Sequence, residues 1–165
     1  MHSWRVLRYN CLRGDKRNEQ KENKLSSRAD FATQARGLVR LTRWKEYVPF
    51  VIPVTLVGVN LALSRTGSAP DLRLLTVILA NNLAVAYAFM VNDIEDAPDD
   101  ARDPARAARN PITCGEISPA MGWLCSIMLA ALTLLLYLAC GARPLAVGLL
   151  TLLLAHLYSW KPVRL

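Results

Sequence analysis

Hydrophobic and charged residues are separated into blocks along this chain instead of being interleaved. Four apolar blocks predict membrane-spanning helices at about 47–64, 74–92, 118–140 and 144–160. Each is close to the roughly 20 residues that an α-helix needs to cross the hydrocarbon core of a bilayer. Because only a helix satisfies all its own backbone groups in lipid, the β-branched residues in these blocks do not argue for strands. The predicted fold class is an all-α, multi-pass transmembrane bundle.

The charged residues define the flanking segments and predict the orientation. Residues 1–28 are polar and basic, with no apolar core of a secretory signal, which predicts a disordered tail. Residues 29–45 have the pattern of a basic amphipathic helix at the membrane interface, leading into a membrane domain at 46–165. Because the first 46 residues hold 12 of the 20 Lys and Arg residues, the positive-inside rule predicts a cytoplasmic N-terminus and a cytoplasmic loop at 92–117. The net charge of +7 is therefore a topology signal and does not indicate nucleic-acid binding.

The connection after the second span concentrates negative charge. Six of the 13 acidic residues lie between positions 93 and 103. Such crowding is costly through like-charge repulsion unless a cation neutralises it, although a solvated acidic loop is the alternative interpretation. Asp93, Asp96 and Asp100 are three and four residues apart, so on a continuous helix they would face the same way. Their oxygens are ligands of the kind that Mg²⁺ takes together with substrate phosphate groups.

Proline and arginine residues modify this picture. Pro98 predicts that the helix ends or bends near Ala97, because proline lacks a backbone donor and clashes with the preceding turn. Asp100 would then approach a metal from a loop, and Asp99 or Asp103 could take its place. Basic residues that follow the acidic ones would supply fork-shaped donors to a diphosphate group; these are Arg102, Arg106 and Arg109.

Three ordered motifs resemble the UbiA-type family of intramembrane prenyltransferases. The family signature NDxxDxxxD is complete in Asn92, Asp93, Asp96 and Asp100. The family's Arg-Pro-hydrophobic stretch, which ends in Gly and is followed by Ile-Ser, is similar to residues 109–118, with Asn110 inserted between Arg and Pro. The Tyr-Ser, Pro and Arg at the end of the family's fourth span are similar to residues 158–164.

The resemblance implies a fold and a reaction. Members are all-helical with typically nine spans, so this chain is similar to the N-terminal half, about four of nine spans. They transfer an isoprenyl group from a polyprenyl diphosphate to a hydrophobic acceptor, often an aromatic ring, using Mg²⁺ held by two aspartate motifs. The second motif belongs to the other half of the fold. The expectation is therefore a fragment of a longer reading frame, or else a half-sized protein that forms a homodimer.

The resemblance also implies roles for individual side chains. Asp93, Asp96 and Asp100 would bind the metal, and Asp93 and Asp96 would be required for catalysis. The ring of Tyr158 could stabilise cationic carbon, or it could belong to an interfacial aromatic belt. Asn92 could cap a helix, and the arginines could serve only solubility or topology. The residues expected to bind substrate are Asn92, Arg102, Arg106, Arg109 and Arg43.

Two other functions fit parts of the sequence. A non-catalytic four-span protein or binding module could retain the metal loop without performing chemistry. A channel or transporter would need ionisable residues inside the spans, and the spans contain only His156, near an end. The mid-span residues Asn81 and Asn82 are expected to tie helices together or to line a substrate cavity. The favoured partners are an isoprenyl diphosphate, a hydrophobic acceptor and membrane lipid.

Overall fold

The computed structural model describes residues 31–161, and within them it contains only helices and connecting turns. Four of the helices are long and apolar enough to cross a membrane, which confirms the predicted all-α fold class. The predicted disordered tail at 1–28 lies outside the described residues, and the contacts reported below lie within residues 34–161. The helices are α1 (31–41), α2 (Trp44–Thr66), α3 (Leu72–Asp100), α4 (Pro104–Ala107), α5 (Pro119–Cys140) and α6 (Ala142–Ser159).

The segment predicted as one amphipathic helix at 29–45 contains a break. Helix α1 ends at residue 41, and α2 begins at Trp44. Between them Arg43 adopts the left-handed conformation, with φ of 50°, which costs a non-glycine residue roughly 1–2 kcal/mol. The backbone there is held by hydrogen bonds from the Arg43 N–H to the Arg40 carbonyl (3.0 Å) and from the Glu46 N–H to the Arg43 carbonyl (2.9 Å). The chain thus turns at Arg43, which directs its side chain towards the end of α3.

Helix α3 is the centre of the bundle and contacts α2, α5 and α6. Small buried residues on α3, Ala80, Ala84 and Ala86, allow neighbouring helices to approach closely. Large apolar side chains on the opposite faces of the surrounding helices are exposed, as lipid contact requires; Phe50, for example, is 71% exposed. This arrangement differs from that of a soluble bundle, in which such side chains would be buried.

A polar cluster joins three of the spans in the middle of the bundle. The Asn81 amide donates to Thr55 Oγ1 (2.9 Å), and the Tyr137 hydroxyl donates to Asn81 Oδ1 (2.6 Å). The cluster therefore links α2, α3 and α5 and satisfies polar groups that would be costly in hydrocarbon. The neighbouring Asn82 amide instead donates to the Ile78 carbonyl of its own helix (2.8 Å).

Helix α3 continues past Pro98, so of the two predicted outcomes, an end or a bend near Ala97, the end is wrong. Proline removes the donor that would bond to the carbonyl of Ile94, but the Ala101 N–H bonds to the Ala97 carbonyl (3.1 Å) and closes the last turn. One missing hydrogen bond so close to the end of a 29-residue helix does not terminate it. Asp100 is consequently the last residue of α3 and not part of a loop.

Candidate functional site

The acidic end of the bundle, defined as the start of α2, residues 92–118 and the end of α6, contains most of the residues predicted from the sequence. Its first carboxylate, Asp93, is only 1% exposed. Arg43 contacts both of its oxygens, with Nε 3.1 Å from Oδ2 and Nη2 2.8 Å from Oδ1. This two-pronged ion pair offsets part of the cost of burying the Asp93 charge.

Other contacts hold the Arg43 guanidinium in place. Its central carbon lies 5.6 Å from the centre of the Phe89 ring, a cation–π distance. Phe89 in turn stacks on the ring of Tyr47 (5.7 Å). The third nitrogen, Nη1, is 3.7 Å from Glu46. The Arg43 side chain is therefore ordered towards the bundle interior, unlike a side chain that extends into the headgroups.

The second carboxylate, Asp96, lies one helical turn after Asn92. The Asn92 amide donates to Asp96 Oδ2 (3.2 Å). Asn92 lies well inside α3, which runs on to Asp100, so the alternative of a helix cap is wrong. Asn92, Asp96 and Asp100 are spaced at i, i+4 and i+8, which places three oxygen-bearing side chains along one face of the helix.

The third carboxylate, Asp100, is held by a residue that the sequence reasoning treated as an insertion. Asn110 is fully buried, and its amide donates both to Asp100 Oδ2 (3.0 Å) and to the Asp93 carbonyl (2.7 Å). The side-chain oxygen of Asn110, Oδ1, accepts a hydrogen bond from the Ile112 N–H (3.0 Å). One feature of the sequence could have identified Asn110, since it is an uncharged polar residue that interrupts the Arg-Pro motif.

The two carboxylates considered as substitutes for Asp100 have other partners. Asp99 contacts Lys161 at 2.9 Å and Arg102 at 3.5 Å, and so connects the ends of α3 and α6. Asp103 is the N-cap of α4, accepting from the N–H groups of Ala105 (2.8 Å) and Arg106 (3.4 Å). Asp99 and Asp103 therefore have structural roles in ion pairing and helix capping.

The predicted arginines differ in position. The side chains of Arg102 and Arg106 are 82% and 69% exposed, and each pairs with the carboxylate three residues before it. Arg109 instead lines a cavity of about 510 Å³ together with Arg43, Arg40 and Lys45. Within residues 31–161, neither Arg109 nor Lys45 forms an ion pair with a carboxylate, and the Lys45 ammonium lies 5.6 Å from the centre of the Trp44 ring.

Arg40 belongs to the segment at 29–45 that the sequence predicted only as a basic amphipathic helix. In the structure it donates to the carbonyls of Ala108 (3.0 Å) and Arg109 (3.1 Å) and pairs with Glu116. Close packing supports this clamp, because a Cβ added to Gly37 would lie 3.0 Å from Glu116 Cβ. Arg40 thus fastens α1 to the loop that precedes α5.

Tyr158 is not brought to the carboxylates by the described part of the chain. Its side chain is 63% exposed, and no hydrogen bond or ring contact of Tyr158 occurs among those residues. The neighbouring His156 faces inwards, with Nδ1 3.3 Å from the hydroxyl of Tyr87. Its ring lies 6.2 Å from that of Trp123 and 6.4 Å from that of Trp160.

The donor types at the acidic end fit Mg²⁺, although the carboxylates are not gathered into one cluster. Among residues 31–161, no three His, Cys, Asp or Glu side chains lie close enough to hold a metal ion together. Asp96 and Asp100 are half-buried and lie one turn apart, and hard oxygen ligands of this kind, completed by water and phosphate, suit Mg²⁺. Asp93 would join them only by exchanging Arg43 for the metal.

Comparison with known proteins gives one match. The sequence model of the UbiA prenyltransferase family matches residues 51–165, which is more than half of the chain. The matched region contains all four spans except the first turns of α2. It includes the parts of the acidic end formed by residues 92–118 and by α6, but not Arg40, Arg43 or the start of α2. No curated protein and no solved structure matches the chain.

Proposed function

The chain belongs to the UbiA prenyltransferase family, and from this premise we propose that it transfers an isoprenyl group from a polyprenyl diphosphate to a hydrophobic acceptor, aromatic or lipid, with Mg²⁺. One observation carries the proposal. An apolar span, α3, ends in three oxygen-bearing side chains one turn apart, Asn92, Asp96 and Asp100. A diphosphate bound there would place its isoprenyl tail directly against the hydrophobic bundle.

Asp96 and Asp100 are the proposed principal metal ligands, and Asn92 orients Asp96 or contacts a phosphate oxygen. Mg²⁺, when bound, would neutralise negative charge that develops on the leaving diphosphate. Asp93 would join these ligands if the Arg43 guanidinium turned from it to the diphosphate. Because each group then exchanges one partner for another of the same sign, the buried charge of Asp93 stays compensated.

Arg43 and Arg109 are the proposed diphosphate donors, since both line the cavity of about 510 Å³. Planar guanidinium groups bind phosphate oxygens with two parallel hydrogen bonds and stabilise a leaving group electrostatically. Arg102 and Arg106 are exposed and already paired within their own turn, so we assign them weaker, outer contacts. A role for Tyr158 in stabilising cationic carbon stays a prediction.

An apolar cavity offers space for the isoprenyl tail. It has a volume of about 580 Å³ and lies over α3 between residues of α2 and α6, with Asn81 and Tyr137 in its wall. Most of the remaining lining is aliphatic, including Val54, Val77 and Val147. Such a surface binds hydrocarbon and keeps water away from a reactive allylic cation.

The proposal is tested by prenyl transfer in membranes that contain the protein expressed from its complete reading frame. Asp93→Ala and Asp96→Ala should each reduce Mg²⁺-dependent transfer by orders of magnitude, and Asp100→Ala should also reduce it. Glu95→Ala is the matched control, because it removes the same charge from the same turns of α3 outside the motif. Wild-type rates in Asp96→Ala, or a loss as large in Glu95→Ala, would contradict the proposed roles.

Calorimetry separates the enzyme from a binding module. The enzyme should bind Mg²⁺ and a prenyl diphosphate and release diphosphate when an acceptor is present. Binding without release would instead identify the non-catalytic alternative, and absence of binding would exclude both.

The proposed orientation places the acidic end in the cytoplasm. Cys114 is exposed there, so it should react with a membrane-impermeant maleimide in inside-out vesicles and be protected in right-side-out vesicles. The experiment uses a background in which Cys11, Cys125 and Cys140 are each replaced by Ser, because Cys140 is a partly exposed free cysteine at the opposite end of α5 and would otherwise also react. Labelling in right-side-out vesicles would reverse the topology.

A further inference from the structure

Asn110 is the most completely buried polar residue next to the acidic motif. It is 0% exposed, although the residue before it, Arg109, is exposed. Its backbone is held from both sides, because its N–H donates to the Arg106 carbonyl (3.2 Å) and its carbonyl accepts from the Cys114 N–H (3.1 Å). A buried amide costs free energy unless its hydrogen bonds are made, so the side-chain partners of Asn110 need an explanation.

Both hydrogens of the Asn110 amide point at α3. One contact is to the Asp93 carbonyl (2.7 Å) and the other is to Asp100 Oδ2 (3.0 Å). These two α3 residues are seven positions apart, which is two helical turns, so a single amide joins the first and last aspartates of the motif. The contact to Asp100 is a hydrogen bond to a charged acceptor, the stronger class of hydrogen bond.

The hydrogen bond from Asn110 restricts the orientation of the Asp100 carboxylate. Asp100 is the last residue of α3, where helices tend to fray and side chains are least ordered. The Asn110 amide binds one oxygen, Oδ2, and within residues 31–161 no hydrogen bond to the other oxygen, Oδ1, occurs. The Asp100 side chain is thereby held in one orientation, with Oδ2 bonded to Asn110.

We propose that Asn110 is a positioning residue that orients Asp100 so that its Oδ1 is presented to the divalent cation. The inference rests on the proposed function, because it assigns Asp100 to the metal. Hydrogen-bond partners of carboxylate ligands typically contribute about 10- to 100-fold to metal affinity. Asn110 therefore acts on the metal through Asp100 and touches neither the metal nor the substrate.

The test measures binding of Mn²⁺, a paramagnetic substitute for Mg²⁺, to the purified full chain in detergent by loss of the free-ion EPR signal. Asn110→Ala should weaken Mn²⁺ binding about tenfold. In an Asp100→Ala background the same substitution should change affinity by less than about twofold, because the group that it positions is gone.

Thr113→Val is the matched control. It removes a hydroxyl of the same loop whose single proton is shared between the backbone carbonyls of Ala107 (2.7 Å) and Asn110 (2.8 Å), without touching a carboxylate. Its Mn²⁺ affinity should stay within about twofold of wild type. Asn110→Ser, which fits the same space and retains one donor, should give an intermediate loss and serves if Asn110→Ala does not fold.

The possible outcomes are distinguishable. Unchanged Mn²⁺ affinity in both Asn110 variants, or an equal loss with and without Asp100, would overturn the positioning role while leaving the metal site in place. An equal loss in Thr113→Val would assign the effect to the loop as a whole and would likewise overturn it. Failure of the wild-type chain to bind Mn²⁺ would overturn the metal site itself, and this inference with it.

Discussion

Removal of the Arg43 guanidinium should be among the most destabilising changes at the acidic end. Asp93 is 2% exposed in its side chain, whereas that of Arg43 is 28% exposed. Arg43→Met keeps a chain of similar length but leaves the Asp93 charge buried without a partner. Breaking a buried ion pair in this way costs about 3–5 kcal/mol, and we expect the lower end, about 3 kcal/mol, because water reaches the Arg43 side.

Substitution of the other partner in this ion pair, Asp93, should reduce the free energy of unfolding by less. Asp93→Asn keeps an acceptor for the guanidinium, and Arg43 can turn its donors towards water or Glu46, which is 3.7 Å from Nη1. We expect about 1–2 kcal/mol, the range for a hydrogen bond that involves a charged group. The double variant should be more stable than the sum of the single losses predicts, by about 2 kcal/mol, since it no longer contains a buried unpaired charge.

The free energy of unfolding is measured by SDS titration in mixed micelles, followed by far-UV circular dichroism. Arg36→Met is the matched control, because Arg36 is an exposed arginine of α1 with no ion pair among the described residues, and it should change stability by less than about 0.5 kcal/mol. If Arg43→Met lies within 1 kcal/mol of wild type, or if Asp93→Asn is the more costly change, the reasoning from burial is refuted.

Two further predictions concern packing and the loop clamp. Gly148→Ala should destabilise the fold by about 2 kcal/mol or more, since its Cβ would lie 2.2 Å from Tyr137 Cδ2; the same SDS titration should find Gly58→Ala, with nothing within 4 Å, neutral or slightly stabilising. Arg40→Ala should speed proteolysis of the loop before α5, as it releases two carbonyls and Glu116. Arg36→Ala should leave cleavage rates unchanged, and equal rates for the two variants would contradict the clamp.

Much of the fold could be predicted from composition alone. Each apolar block became a spanning helix because a helix in hydrocarbon satisfies its backbone locally, without needing a partner. Prediction was weaker at the helix ends. Pro98 suggested an early end to α3, but a single missing donor near the last turn was tolerated, and the interfacial helix was broken at Arg43 by a left-handed turn for which the local sequence has no glycine.

The sequence by itself determined the spans and the crowding of carboxylates after the second of them, because both depend only on neighbouring residues. The tertiary structure alone decided which partner each carboxylate has. Arg43 meets Asp93 across 50 positions of sequence, Asn110 reaches Asp100 from a loop, and Tyr158 faces outwards. Such contacts depend on how the helices are rotated and on where the chain turns, and neither is recorded in the local spacing of residues.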